Sequence, residues 1–351
     1  MNNLSLYGWN DTLSSHKQTL PFSTLPHGRV VITHRTCYEV VAEDGFYQCE
    51  LSGNILYSRT SDQYPTTGDW VIFQPTDSLK GIVLDILPRQ KTLYRKKSGT
   101  VSELQPIAAH VDKVFIVQGL DANFNPRRAE RFIVQALSEK IEPVLILTKA
   151  DLGFDASKIA DELKHLSQKM SVFTTSIYDS NTIEQLRSSI SEGETIVFLG
   201  SSGVGKSSLV NALCGKELLE TSSVSDSNGK GRHTSTRREM VLLEQSGVLI
   251  DTPGVREFGV TSDSSDAIAS VLDVSNLENS CRFQNCTHTT ESGCAILEAI
   301  NNGDLSEEVF QSYLKLQRES SHFSASEHEK RVKGKSFTKM VKGAKNFKIN
   351  N

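Results

Sequence analysis

The sequence predicts a doubly wound α/β core, preceded by a small β-barrel and followed by a helical segment that carries a cysteine–histidine cluster. Three observations lead there. Between residues 28 and 95, short β-rich runs crowd together with turn residues between them. From Val111 to Ile250, apolar strands alternate with amphipathic helices, the pattern of a mostly parallel sheet covered on both faces. Between Cys281 and Cys294, three cysteines and one histidine fall within 14 residues.

Composition narrows the class. Charged and apolar contents of 23% and 37% are ordinary for a globular protein. No apolar run has the length of a membrane span, and MNNLSLYGWNDTLSSHK lacks the basic-then-apolar layout of a secretion signal. A cytoplasmic protein with no membrane partner is expected, its six cysteines reduced, so that a cysteine cluster means metal or catalysis before disulfides. Net charge is −4, but the stretch from Lys330 onward holds eight Lys or Arg and no acid. The rest holds 30 basic against 42 acidic residues, a net −12. A basic tail on an acidic body suits a polyanionic partner at one end.

Residues 1–27 read as a leader or one short helix. In 28–95 the runs Arg29–Thr33, Cys37–Val41, Phe46–Leu51, Asn54–Tyr57, Asp69–Phe73 and Gly81–Ile86 read as strands, with hairpin turns at Asp44-Gly45 and Ser52-Gly53-Asn54. So many short strands predict an OB-fold barrel, which either binds RNA or packs on a neighbour. Tyr94–Gly99 reads as a basic linker, a solvated hinge or a phosphate contact. The α/β domain spans 104–260. Its strands are Val111–Val117, Pro143–Leu147, Ser171–Thr174 and Thr195–Leu199, with a hairpin of Arg238–Glu244 and Gly247–Ile250. Its helices are Pro126–Lys140, which is amphipathic through Ala129, Phe132, Ile133, Ala136 and Leu137, then Ser157–Gln168 and Thr182–Ile190. Helices near Ala295–Asn301 and Ser306–Arg318 fill a third domain, 261–320, ahead of a flexible basic tail, 321–351.

The chemistry is concentrated in TIVFLGSSGVGKSSLVNALCG, residues 195–215. A buried strand leads into Gly200, then Ser201, Ser202, Gly203 and Val204, then Gly205, Lys206 and Ser207, with Ser208 continuing a helix. This is G-x-x-x-x-G-K-[ST] in its required strand–loop–helix context. The glycines let successive N–H groups curl around phosphate oxygens at a helix N-terminus. Lys206 neutralises the β- and γ-phosphates, and the Ser207 hydroxyl can ligate Mg²⁺. The chain is expected to bind a nucleoside triphosphate.

Thr148, Lys149, Ala150 and Asp151 select the base. A carboxylate at Asp151 accepts two hydrogen bonds from guanine that adenine cannot donate, and the Lys149 stem can lie over the purine. Thr175 and Ser176, at the end of the next strand, can add backbone contacts to the base. Asp251-Thr252-Pro253-Gly254 supplies an aspartate for Mg²⁺ and a glycine N–H that senses the γ-phosphate. The polar run Ser222–Arg238 has the composition of a switch loop, and either Thr234 or Thr236 closes the magnesium shell. Val255 occupies the place where many GTPases carry a water-orienting glutamine, so intrinsic hydrolysis should be slow. His233 is the candidate to orient or deprotonate water, the other reading being a structural or RNA-facing histidine.

Cys281, Cys286, His288 and Cys294 form C-x4-C-x-H-x5-C, which suits a closed tetrahedral zinc site of structural type; the other reading is buried cysteines with an incidental histidine. Cys37, Cys49 and Cys214 read as core. The tail, KGKSFTKMVKGAKNFK, either grips RNA phosphates or serves solubility.

Here the guanine motif precedes the phosphate loop, the reverse of ordinary small GTPases, and this order resembles the circularly permuted GTPases. GRHTST at 231–236, DTPGVREF at 251–258 and the cysteine cluster resemble the RsgA family of small-ribosomal-subunit-dependent GTPases, over about residues 28–320. Thr148 stands where the family more usually has Asn, and Ser235 where it often has Thr; both stay polar. The resemblance implies a circularly permuted α/β P-loop GTPase core between an OB-fold barrel and a zinc-binding helical domain. It implies GTP with Mg²⁺ and one structural zinc at Cys281, Cys286, His288 and Cys294; a monomer is expected. It further implies slow GTP hydrolysis stimulated by the small (30S) ribosomal subunit and its rRNA, in late subunit maturation. The rival is a GTP-dependent RNA-binding scaffold whose hydrolysis is incidental.

Overall fold

A computed structural model of the chain describes residues 3–96, 104–121, 124–152, 159, 170–216, 238–243, 246–251 and 264–324. Two compact units divide the chain: Met1–Ser98 with Glu103–Phe258, and Gly99–Ser102 with Gly259–Asn351.

In the first unit, strands β1 (His27–Thr33), β2 (Tyr38–Ala42), β3 (Gly45–Leu51), β4 (Trp70–Pro75) and β5 (Lys80–Ile86) close a barrel in the order β1-β2-β3-β5-β4, with β1 pairing back onto β4. Only the β3–β5 pair is parallel. Closure removes the exposed edges that five short strands would otherwise present. Val30, Val40, Cys49, Val71, Phe73 and Val83 alternate inward to fill it. This is the expected OB-type barrel, with one correction. The segment expected to form a sixth strand, Asn54–Tyr57, is a helix, Gly53–Ser58. Ser52, expected in a hairpin turn, instead caps it by accepting from the Ile55 N–H. Ile55 and Leu56 misled the β reading, because an apolar run this short fits either structure.

The N-terminal segment resolves to the helix alternative. A 3-10 turn, Leu4–Tyr7, and a helix, Asp11–Thr19, capped by Asn10, place Leu4 and Leu13 in the core. The Trp9 ring meets Trp70 edge-on, with centroids 4.8 Å apart. Fully buried Arg29 ties the parts together, donating to the carbonyls of Tyr7, Gly68 and His110. The expected linker at Tyr94–Gly99 is also corrected over its described part. Leu93–Lys96 (β6) pairs with Leu104–Ala108 (β7) as an antiparallel ribbon.

The α/β half contains β8 (Lys113–Gly119), β9 (Glu142–Thr148), β10 (Ser171–Thr174), β11 (Thr195–Leu199), β12 (Arg238–Leu242) and β13 (Val248–Asp251), in the order β10-β9-β8-β11-β13-β12. All but β12 run parallel. Phe115, Val117, Ile146, Ile196, Phe198 and Leu249 face the helices Ser180–Ser188 and Lys206–Cys214 across one core. The helix Pro126–Ser138 begins at Pro126, with Asn125 accepting from the Arg128 N–H, and buries Ala129, Phe132, Ile133 and Ala136. β12 also pairs with β1, Ile32 opposite Glu239, so one continuous sheet runs from the core into the barrel. The expected helix Ser157–Gln168 lies outside the described residues.

The second unit holds the helices Ser265–Val271, Ser275–Asn279, Ala295–Asn302 and Glu307–Ser324. Ile268, Leu272, Val274, Ile296, Phe310, Tyr313 and Leu316 are buried there. No helix among the described residues is long and apolar enough to cross a membrane.

Candidate functional site

The five parallel strands end along one edge, at Gly119, Thr148, Thr174, Leu199 and Asp251. Strand order reverses between β8 and β11, and such a switch point opens a crevice at the carboxyl ends of the strands. The loop Gly200–Gly205 leaves β11 at this point. A Cβ on Gly200 would lie 2.5 Å from the Val117 carbonyl oxygen, so only glycine passes so close to β8. Gly205, at φ +94°, is the N-cap of the helix Lys206–Cys214 and offers no side-chain acceptor to its first turn. Asn10, Asn125 and Asp179 cap their own helices with a side chain. The first-turn N–H groups behind the loop, at the positive end of the helix dipole, therefore favour an anion. Val204 is buried beneath the loop, whereas Ser202 and Gly203 are exposed and Ser201, Ser207 and Ser208 half-buried. Lys206 Nζ folds over the loop and donates to the carbonyls of Gly200 (2.8 Å) and Ser201 (2.6 Å).

The guanine-type motif arrives from β9, more than 50 residues earlier, and meets this loop directly. Thr148 Oγ1 donates to the Val204 carbonyl at 2.5 Å. Lys149 Nζ donates to the Gly203 carbonyl at 2.7 Å and to Asp121 Oδ2 at 2.5 Å. Ala150 N–H bonds the Thr175 carbonyl, and the Ser176 hydroxyl donates to Asp151 Oδ1 at 2.6 Å. Asp151 is exposed, and the Ser176 hydroxyl restrains it. Asp251 ends β13, beside β11. Burial pushes its carboxyl pKa up, the Lys206 charge opposes this, and Glu239 adds to it; such a group gains from a cation. His233, Thr234, Thr236, Gly254 and Val255 lie outside the described residues.

Two neighbours of the site belong to no motif. Asp121 pairs with Lys149, and Arg128 Nη1 donates to Ser201 Oγ at 2.8 Å. Their signal in the sequence was positional: both follow the carboxyl end of a parallel strand, where α/β sheets build their crevice.

In the second unit, Cys281, Cys286, His288 and Cys294 place their ligand atoms within 4.8 Å of one another. Tetrahedral zinc with ordinary bond lengths demands S···S near ~3.8 Å and S···N near ~3.6 Å. Cys281 and Cys294 sulfurs are 3.9 Å apart, and His288 Nδ1 lies 3.6 Å and 3.4 Å from them. The four residues fit the metal, with no position left for substrate. The local fold is built for this. Cys294 heads the helix Ala295–Asn302, and His288 adopts φ +57°. Glu291 accepts from the Thr287 hydroxyl and from the N–H groups of Thr287, Thr289 and Thr290, which holds that turn and keeps its carboxyl well below the usual range. Behind the ring, His288 Nε2 faces Glu278 Oε1 at 3.9 Å, and Glu278 in turn accepts from the hydroxyl of fully buried Tyr313. Of the other cysteines, Cys49 is core, while Cys37 and Cys214 are only half-buried.

The geometry agrees with what the chain is similar to. The family model described as RsgA GTPase matches residues 86–261. "Small ribosomal subunit biogenesis GTPase RsgA 1" of Bacteroides thetaiotaomicron is 62% identical over 349 residues, covering 99% of this chain and 98% of that protein. "Small ribosomal subunit biogenesis GTPase RsgA 2" of Vibrio parahaemolyticus is 35% identical, covering 97% and 92%. The crystal structure of YjeQ from Thermotoga maritima superposes with a TM-score of 0.63 at 25% identity, over 84% of this chain and 98% of that one. That of YloQ, a circularly permuted GTPase, shares the fold with a TM-score of 0.62 at 22% identity, over 85% and 95%. A phosphate loop met from behind by a guanine motif that precedes it in the chain, a closed five-stranded barrel and a Cys3His cluster thus stand together with relatives matched end to end, and the chain belongs to the RsgA GTPase family.

Proposed function

We propose that the chain binds and hydrolyses GTP at the β8–β11 crevice, and that this cycle serves assembly of the small ribosomal subunit. The observation that carries the reading is the contact of Lys149 and Thr148 with the carbonyls of Gly203 and Val204. It joins base recognition to phosphate recognition in one pre-formed site. The loop Gly200–Ser208 would cradle the phosphates, with Lys206 swinging from its own loop carbonyls onto the β- and γ-oxygens. Thr148, Lys149, Ala150, Asp151, Thr175 and Ser176 would hold the guanine. Ser207 and Asp251 would hold Mg²⁺, which supplies charge neutralisation at the transferring phosphoryl group. Thr234 or Thr236 and the Gly254 N–H would report the γ-phosphate, and His233 remains our candidate for placing the attacking water. With Val255 in the glutamine position, turnover waits on a partner.

The names of the relatives supply that partner: small ribosomal subunit biogenesis. The barrel and the basic tail from Lys330 suit contact with its rRNA. Zinc at Cys281, Cys286, His288 and Cys294 would be structural, one per chain. We further propose a cytoplasmic monomer and domains at 28–95, 104–260 and 261–320, preceded by 1–27 and followed by the tail 321–351. The test is GTP turnover by the purified protein with and without 30S subunits, with ATP and large subunits as controls. Stimulation confined to GTP and 30S is expected. Equal slow turnover in every condition would leave the ribosomal role without support and favour the scaffold.

A further inference from the structure

Lys149 does two jobs at once, and its ammonium group is held by something outside the motif. Its backbone is left-handed, at φ +62°, immediately after β9. Its Nζ sits between the Gly203 carbonyl of the phosphate loop, at 2.7 Å, and Asp121 Oδ2, at 2.5 Å. The pair is half-buried, with side-chain exposures of 27% for Lys149 and 16% for Asp121. The chain is shaped around the carboxylate as well. A Cβ on Gly119 would lie 3.1–3.4 Å from the Asp121 carboxyl atoms, so the absence of a side chain there makes room for the carboxyl group against the end of β8. The same segment is fastened to the guanine strand by the Leu120 N–H, which donates to the Thr148 carbonyl at 2.8 Å.

We propose that Asp121 is a positioning residue for guanine-nucleotide binding: it fixes the Lys149 ammonium so that the stem lies over the purine while the head group grips the phosphate loop at Gly203. This rests on the GTP reading of the site and deepens it. An ammonium ion held by a carbonyl alone is free to leave with its stem, and a charge-assisted bond to a carboxylate prevents that. Asp121 touches no nucleotide atom itself; it acts through Lys149. GTP and GDP share the base and the contact with the loop, so the contribution of Asp121 is the same for both. It is binding energy present equally in ground and transition states.

The test is a titration of fluorescent N-methylanthraniloyl GDP, and of the matching non-hydrolysable GTP analogue, with Mg²⁺, into the full chain and its variants. Asp121→Asn keeps the shape and removes the charge. Both nucleotides should bind about tenfold more weakly, the lower end for losing a hydrogen bond to a charged group because the pair is partly exposed. The Michaelis constant for GTP should rise by the same factor, with turnover at saturation within about twofold of the parent, a split that general damage to the fold would not produce. Lys149→Met should weaken binding at least as much, and the double variant no further, since the two residues act as one unit. Gly119→Ala is a second route that leaves both charges in place; crowding the carboxylate should weaken both nucleotides in parallel. Asp121→Asn binding like the parent, or losses that multiply in the double variant, would overturn the proposal while leaving the GTP site intact. A parent chain that binds no guanine nucleotide would instead overturn the reading beneath it.

Discussion

Removing the zinc proposed at Cys281, Cys286, His288 and Cys294 should unfold the second unit and spare the nucleotide site. The perturbation is Cys294→Ser, or a strong zinc chelator added to the parent chain. The tetrad ties the end of the helix Ser275–Asn279, through Cys281, to the head of Ala295–Asn302, through Cys294, with His288 and Cys286 on the loop between them. The apolar core around it is small, chiefly Ile268, Leu272, Val274, Ile296, Phe310 and Leu316. A structural zinc is worth on the order of 10 kcal/mol of folding free energy. An entire domain is typically stable by about 5–15 kcal/mol. Metal loss therefore consumes most or all of that margin. Limited proteolysis mapped by mass spectrometry reads the result, with cleavage appearing between residues 264 and 324 and a loss of helical circular dichroism. GDP affinity should stay within about twofold, because Thr148–Asp151 and Gly200–Ser208 belong to the other compact unit. A metal-free chain that resists protease in 264–324 and melts like the parent would refute the reasoning.

Three further outcomes follow from local geometry. Glu278→Gln should lower zinc affinity roughly tenfold in a competition with a chromophoric chelator, because outer-sphere partners of a metal-bound histidine typically contribute 10–100-fold; an unchanged affinity would mean that Glu278 does not orient His288. Burial pushes the His110 pKa down to about 3, and its Nε2 has no hydrogen-bond partner among the described residues. As pH falls from 6.5 towards 3, the unfolded chain therefore takes up a proton that the folded chain refuses. Denaturant unfolding should show stability constant above pH 6.5 and declining below it, and His110→Asn should flatten that decline; parallel curves for the two chains would count against it. The raised pKa of Asp251 means that protons compete with Mg²⁺ from a higher pH than at an ordinary aspartate. Mg²⁺-dependent GTP binding should weaken as pH is lowered, less so in Asp251→Asn at its own reduced level, and equal slopes would rule this out.

The phosphate loop and guanine motif were legible because their chemistry is written in contiguous residues whose strand–loop–helix context can be checked locally. The strands Ser171–Thr174 and Thr195–Leu199 fall where the apolar runs put them. The helix Gly53–Ser58 was misread because three consecutive apolar residues, Ile55, Leu56 and Tyr57, carry no usable period, and what decides it is the Ser52 cap and the insertion of Ile55 into the barrel. The β6–β7 ribbon was missed for a related reason. YRKK looks solvated, and only its partner Leu104–Ala108, across residues 97–103, makes it a strand. Asp121 and Arg128 are long-range by nature. A carboxylate after β8 acquires meaning only when Lys149 from β9 is beside it, and no window along the chain contains both.

Circular permutation also becomes physically plain in this sheet. The neighbours β8, β11 and β13 set which strand ends converge, and parallel pairing fixes that convergence whatever the order of connection. Cutting and rejoining the chain elsewhere therefore leaves Gly203, Lys149 and Asp251 at one edge. What changes is where the chain leaves the core. β13 is its last strand among the described residues, and Asp251 its last described residue before the second unit begins at Gly259. The residue expected to sense the γ-phosphate, Gly254, thus lies on the covalent path out of the site. In an unpermuted order that path would lead back into the sheet. Here the covalent path from Gly254 leads to the second unit, which begins at Gly259, so hydrogen exchange after residue 260 should differ between the GTP-analogue and GDP forms, and identical exchange would refute a mechanical link.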